Sequence, residues 1–291
     1  MTAGRNPIFI AEASSNHGRE LSRALAFVDA AAETGCDAVK FQLFKIDRMF
    51  APIVLAKSEK HRARRNWELP LSHLAPLAER CKERGIRFSC TPFYVEAVAE
   101  LEPFVDFYKI ASYELLVTDL LEACAATGKP VVLSTGMATM EEIVAAANTL
   151  NRAGAKDVTL LHCVSAYPMP VNEANLSAIE AIRAATGCKV GWSDHSRKAS
   201  IVERAVHRWN AAAVEFHLDL DGNGAEYATG HCWLPHEIAP VIARIRESVD
   251  ADGTGFKTSQ PSETPDREWR ADPSDGMRPL LHVRRAWESA A

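Results

Sequence analysis

Eight times along the chain a short apolar run gives way to an amphipathic stretch of roughly ten to fifteen residues, and this alternation leaves few folds open. Strands separated by helices pair in parallel, because a helix must carry the chain back to the start of the next strand. The apolar runs fall at Ile8–Ala11, Ala38–Phe41, Arg87–Cys90, Phe107–Ile110, Val131–Leu133, Thr159–His162, Lys189–Trp192 and Ala213–Phe216. Eight in series predict an α/β fold, a (β/α)8 TIM barrel, and the usual barrel length of about 250 residues fits within the 291 residues present.

Local signals agree with the helices between these runs. Leu21, Leu25, Val28 and Ala32 form one apolar stripe with Gly35 at a C-cap position. Thr139 and Glu142 have capping-box spacing ahead of the stripe Ile143, Ala147 and Leu150. Ile238, Val241, Ile242 and Ile245 form the last stripe, behind Pro235. Two long connections break the rhythm, residues 44–70 after the second strand and 219–234 after the eighth, both on the side where barrel enzymes carry their sites. Beyond Val249 the chain turns rich in Pro, Gly, Asp and Ser. Residues 250–291 therefore read as an irregular C-terminal tail on a barrel of residues 1–249, with Trp269, Leu280, Leu281 and Trp287 available to pack on the barrel or a partner.

Composition excludes several classes. A net charge of −5 gives no general nucleic-acid surface, and the basic run Lys60 to Arg65 reads as a solvated helix face or loop. No apolar run reaches the roughly 18 residues of a membrane span, and the N-terminus shows no signal pattern, so a cytoplasmic protein is expected. The seven cysteines contain no C-x-x-C pair and read as reduced core residues.

Nearly every apolar run ends in polar residues at its C-terminal edge. In order these are Glu12, Lys40 with Gln42, Thr91, Lys109 with Ser112 and Glu114, Ser134, His162 with Ser165, Ser193 with His195, and Glu215 with His217. In a closed barrel these ends converge on one mouth. A Ser or Thr there can simply cap the next helix, but eight polar ends together point to a ligand site. Lys40 and Lys109, each between apolar neighbours, are desolvated unless an anion meets them; a carboxylate such as Glu12, or a phosphorylated and carboxylated ligand, fits. His195 and His217 end neighbouring strands and either share a divalent ion of the Mn, Zn, Co or Fe kind or serve as hydrogen-bonded core groups. Asp219 to Gly224 imitates an EF-hand start without its closing Glu, and His231-Cys232-Trp233 reads as a structural loop anchor.

The motifs Ile10-Ala11-Glu12 with Asn16-His17, Ala38-Val39-Lys40-Phe41-Gln42, Cys90-Thr91-Pro92-Phe93, Tyr108-Lys109-Ile110-Ala111-Ser112, Leu133-Ser134-Thr135-Gly136-Met137, Leu161-His162-Cys163, Tyr167-Pro168 and Ser193-Asp194-His195 follow one another in order. In this the chain resembles the sialic acid synthase family, which condenses phosphoenolpyruvate with an N-acylated hexosamine. The resemblance implies that His195 and His217 bind a divalent metal, usually manganese. It also implies that Lys40, Thr91, Lys109, Ser112, Ser134 and Ser193 hold phosphoenolpyruvate, with Ser165 beside them. Gln42, Glu114 and Tyr167 fall where the family contacts the sugar, and Glu12 stands near the reacting carbons. A homodimer is expected by analogy alone. The chain departs from the family pattern at Phe216-His217-Leu218-Asp219, at Gly224-Ala225-Glu226, where Glu226 stands in for an aspartate facing sugar hydroxyls, and in having no room for the C-terminal antifreeze-like domain. Two other readings stay open: a Schiff-base aldolase with Lys109 as nucleophile, and a barrel that binds a sugar acid or phosphoenolpyruvate without turnover.

Overall fold

The computed structural model describes residues 6–288. Eight parallel strands, β1 (Ile8–Glu12), β2 (Ala38–Leu43), β3 (Arg87–Pro92), β4 (Phe107–Ile110), β5 (Val131–Ser134), β6 (Val158–Cys163), β7 (Lys189–Asp194) and β8 (Ala213–His217), close into a barrel in sequence order. β1 completes the ring by pairing with β8, which sets Glu12 opposite His217; on its other side Glu12 is opposite Lys40. Every expected strand is present, and most extend one or two residues further into the polar ends.

The pleat sorts each strand into two faces, since successive side chains point to opposite sides. Phe9, Phe41, Phe88, Tyr108, Trp192 and Phe216 face outward and pack with Phe27, Leu77, Ile143, Val202 and Ile242 of the surrounding helices. Ile10, Ala38, Phe107, Val132, Leu161 and Ala213 form a separate apolar plug inside the ring. Two residues further along the same strands stand Glu12, Lys40, Lys109, Ser134, Cys163 and Glu215, so the polar layer sits directly above the plug. Parity also corrects one expectation: His162 is out of phase with Cys163, so its Nε2 meets the Ala174 carbonyl oxygen at 3.0 Å and its ring packs on Trp192, away from the mouth.

The capping box of the helix Met140–Arg152 is formed, with the Glu142 amide donating to Thr139 Oγ1 and the Thr139 amide to Glu142 Oε2. The connection after β2 is ordered into short helices, Ile46–Met49, Pro52–Lys57 and Glu59–Ala63, and part of the basic run lies on the last of these, with Arg65 bonded to Asp47. A compact unit ends at Ala251, and a second begins at Asp252. The second unit is more regular than its composition suggests. It contains the helices Thr264–Glu268 and Leu281–Glu288, Asp272 accepts from the Leu281 amide at 2.7 Å, and Trp269 and Trp287 meet edge to face at 5.8 Å.

Candidate active site

Two lysines, two glutamates and a group of histidines form the mouth. Lys40 pairs with Glu12 and donates to Thr91 Oγ1 at 3.0 Å; Lys109 lies 3.5 Å from Glu215 and donates to the Ile110 carbonyl at 3.1 Å. All four charged residues are at most 4% exposed. Burial pulls the Lys40 ammonium down, but Glu12 and Glu215 outweigh it and hold the group above its ordinary value. Lys109 ends below its ordinary value, because burial and the neighbouring Lys40 prevail over Glu215. Burial raises Glu215, yet Lys109 and Lys40 bring it below the usual carboxylate range.

This interior is balanced in charge, two ammonium groups against two carboxylates, and it retains polar capacity. Ser134 Oγ and Glu215 Oε2 are buried without a hydrogen-bond partner among the described residues. Buried polar atoms are nearly always paired, so an unpaired hydroxyl beside two lysines points to a ligand. Ser193 donates to Glu215 Oε1 at 3.2 Å, and Ser112 Oγ accepts from the Gly136 amide at 2.9 Å. Gly136 lets these hydroxyls approach the backbone: a Cβ would lie 2.3 Å from Ser165 Oγ and 2.9 Å from Ser112 Oγ and would turn both aside.

On the β1–β8 side a chain of side-chain contacts leads from the lysines to the histidines. Gln42 donates to Glu12 Oε1 at 2.7 Å and to Ser14 Oγ at 3.1 Å; Ser14 donates to Glu226 Oε1, and Glu226 Oε2 lies 3.1 Å from His217 Nδ1. Ser14 was not foreseen. Its φ of 47° is a left-handed conformation uncommon for serine, and no sequence motif reports it. Glu226, expected to face sugar hydroxyls, has both oxygens engaged within the protein.

The expected metal pair was His195 and His217, and their rings are 5.3 Å apart. Beside this pair a further set of donors converges on His217, namely Glu226, His231 and Cys232, and the ligand atoms of these four lie within 4.8 Å of one another. The His217 and His231 rings are only 4.5 Å apart. His195 donates Nδ1–H to the Val164 carbonyl oxygen at 2.8 Å, which leaves Nε2 as the nitrogen with a lone pair, and its ring lies 4.2 Å from that of Tyr167. All three residues of His231-Cys232-Trp233 make anchoring contacts: His231 Nδ1 lies 2.6 Å from Thr229 Oγ1, Cys232 Sγ lies 3.7 Å from Asn16 Nδ2, and Trp233 Nε1 donates to Asp194 Oδ2 at 3.1 Å.

The chain returns after its excursion so that Leu218 and Trp233 form a β-bridge, which sets His231 and Cys232 beside His217. That return was invisible in the sequence because it depends on a pairing between residues separated by an irregular loop. Burial depresses His217 further than Glu226 raises it, so its imidazole is neutral at pH 7 and has a lone pair for a cation. Burial pushes Glu226 up, but hydrogen bonds to His217 and His231 bring it far below the usual carboxylate range. Two imidazoles, a carboxylate and a thiol fit a divalent transition ion.

Of the remaining expected residues, Tyr167 is 40% exposed beside His195, and Glu114 has its Oε2 buried and unpaired. Burial pushes the Glu114 carboxyl up to about 7.

A closed parallel barrel with an anion-ready polar layer and a cluster of imidazoles at the C-terminal ends of its strands defines an enzyme of the (β/α)8 class. Residues 27–257 match the NeuB family. The chain is 35% identical over 272 residues to the N,N'-diacetyllegionaminic acid synthase of Campylobacter jejuni, covering 89% of this chain and 81% of the relative. It is 33% identical over 262 residues to the spore coat polysaccharide biosynthesis protein SpsE of Bacillus subtilis, covering 85% and 69%. Among solved structures, a sialic acid synthetase from Leptospira borgpetersenii superposes with a TM-score of 0.80 at 32% identity, covering 93% of each chain. The chain belongs to the NeuB family, the sialic acid synthase type, and is a condensing transferase. Among the described residues no helix is long and apolar enough to cross a membrane.

Proposed function

We propose that this barrel condenses phosphoenolpyruvate with the open-chain aldehyde of an aldose, in the N-acylated hexose class, releasing phosphate and forming a nonulosonic 2-keto-3-deoxy acid. The observation that carries the reading is the layer of Lys40, Lys109 and unpaired Ser134 next to the His217–His231 cluster: an anion site and a cation site side by side. Lys40, Lys109, Thr91, Ser112, Ser134 and Ser193 bind the phosphate and carboxylate, with Ser165 at their edge. A divalent ion held by His195 and His217, with His231 beside them, manganese in the family this chain resembles, would supply Lewis-acid polarisation of the aldehyde. Its charge also offsets the surplus that an enol phosphate brings to an interior whose lysines and glutamates already balance.

Glu12 lies between Lys40 and Gln42, where its carboxylate stabilises positive charge developing at C2 of the enolpyruvate and orients the incoming water. Carbon–carbon bond formation at C3 precedes water addition at C2, and phosphate leaves by C–O cleavage. Gln42, Glu114 and Tyr167 line the acceptor side. His195, with Nδ1 committed to the Val164 carbonyl and its ring 5.3 Å from that of His217, keeps Nε2 for the same ion.

The test is an acceptor screen: phosphoenolpyruvate, a divalent ion and a panel of N-acetylated, diacetamido and plain hexoses, read by phosphate release and product mass. Phosphate release that depends on the sugar and stops in EDTA is expected; none with any aldose would sink the reading. The depressed Lys109 favours a second mechanism, a Schiff base. Borohydride with the carbonyl substrate separates the two, since the synthase is not trapped and a Schiff-base aldolase is.

A further inference from the structure

We infer that Arg23 is a positioning residue for the proposed reaction: its guanidinium clasps Asp219 and Asp221 and so fixes the loop of residues 219–234, which carries Glu226 and His231 to the mouth. The inference rests on the synthase reading for what the loop serves, and on geometry alone for what holds it.

Asp219 to Gly224 has the spacing that opens a calcium loop, and the structure puts an arginine where such a loop has its ion. Arg23 belongs to the helix Leu21–Glu33, which follows β1. Its Nη2 donates to Asp219 Oδ1 at 3.0 Å and to Asp221 Oδ1 at 2.9 Å, and its Nη1 donates to Asp221 Oδ2 at 3.0 Å. A planar fork meets two carboxylates in fixed directions, as the point charge of a lysine does not. Asp219 is 0% exposed, and a buried carboxylate that loses its countercharge is strongly destabilised. Its other oxygen accepts from the Gly222 amide at 2.7 Å and the Gly224 amide at 3.2 Å. The ion pair therefore shapes the first turn of the loop from inside.

The same guanidinium also acts on Glu226. Arg23 Nε donates to the Asn16 carbonyl at 2.7 Å; Asn16 Oδ1 accepts from the Glu226 amide at 2.8 Å, and Asn16 Nδ2 donates to the Leu218 carbonyl at 3.1 Å. Gly224 passes between these anchors, where a Cβ would lie 2.3 Å from Asp219 Oδ1 and 2.5 Å from Asn16 Cγ. One side chain thus braces the loop at residues 219 and 221 and, through Asn16, at residue 226. Glu226 in turn reaches Ser14 and His217. None of the residues given to phosphoenolpyruvate belongs to this loop, so loss of the clasp falls on the acceptor side. Asp219 is also one of the positions at which the chain departs from the family pattern.

The experiment compares full-length wild type, Arg23→Leu and Arg23→Lys by hydrogen exchange and by steady-state kinetics. In Arg23→Leu the amides of Gly222, Gly224 and Glu226, each bonded to a side chain of the clasp, should exchange at least about tenfold faster, while peptides from β4 to β6 stay unchanged. Arg23→Lys keeps the charge without the fork and should fall between. With manganese, phosphoenolpyruvate and an N-acetylhexosamine, kcat/KM for the sugar should drop by about tenfold in Arg23→Leu while KM for phosphoenolpyruvate stays within about twofold. If Arg23→Leu does not fold, Asp221→Asn decides: it weakens the clasp at a side chain that is 47% exposed and spares Asp219, and it should shift the same amides and the same sugar parameter less far. Unchanged loop exchange, or a loss shared equally by sugar and phosphoenolpyruvate, overturns the inference. A wild type that releases no phosphate with any aldose sinks the synthase reading and with it the role given to Arg23; a wild type that turns over, beside an Arg23→Leu variant with full loop protection, sinks this inference alone.

Discussion

Glu114 shows how one side chain ties the site to solvent conditions. Its carboxyl titrates at 4.5 when free and is pushed up to about 7 by burial, with Lys109 only partly opposing. The sign follows directly. Between those values the folded state holds a proton that the unfolded state has released, so stability is present below 4.5 and is lost as pH rises towards 7. Glu114→Gln removes the titration. Thermal melts across pH 4 to 8 should show the wild type losing stability over that window and the variant losing less of it, so that the variant melts higher at pH 8. Parallel curves for the two proteins would show that Glu114 is not desolvated as described. Glu215 behaves otherwise: two lysines bring it below its usual range, and its contribution is lost only at lower pH.

At the scale of elements, β7 and β8 carry the tightest constraint. Gly191 lies on the inward face of β7, and a Cβ there would be 2.3 Å from the Ala213 carbonyl oxygen and 2.7 Å from Leu161 Cδ2. Neighbouring backbone cannot give way as a side chain tip can. Gly191→Ala should therefore destabilise the barrel by on the order of 3 kcal/mol, read as a fall in Tm of roughly 6–12 °C for a domain this size, and should loosen Ser193 and Glu215 one layer above. The strands themselves were legible from the sequence because apolar runs are local properties, and all eight begin within a residue of where the pattern puts them. The polar layer was legible for the same reason, since Lys40 and Lys109 interrupt apolar runs that have no other use for charge. That a third histidine, His231, reaches His217 was not. His195 and His217 end adjacent strands, but the partner nearest His217 arrives on a returning loop segment held by the Leu218–Trp233 bridge and by Trp233 on Asp194. Ser14 was hidden too, because its role comes from a left-handed backbone that places its hydroxyl between Gln42 and Glu226.

At the scale of the whole molecule, the proposed cation site joins distant parts of the barrel's sequence. His217 ends β8, Glu226 and His231 belong to the loop beyond it, and Asn16 and Ser14 follow β1, so an ion gathered by these residues ties the closing seam of the ring. A ligand that binds the folded state alone stabilises it by about 2.7 kcal/mol at a free concentration of about 100 Kd. For a domain of this size that corresponds to a rise in Tm of ~5–10 °C. Adding a divalent ion to chelator-treated protein should produce a shift of that order, and EDTA should reverse it. His217→Ala removes the central imidazole while leaving the apolar plug and outer core intact, so the variant should remain folded, lose the ion-dependent shift and lose turnover. A full shift in His217→Ala would place the ion elsewhere; a shift lost in the variant while turnover survives would separate the ion from the chemistry.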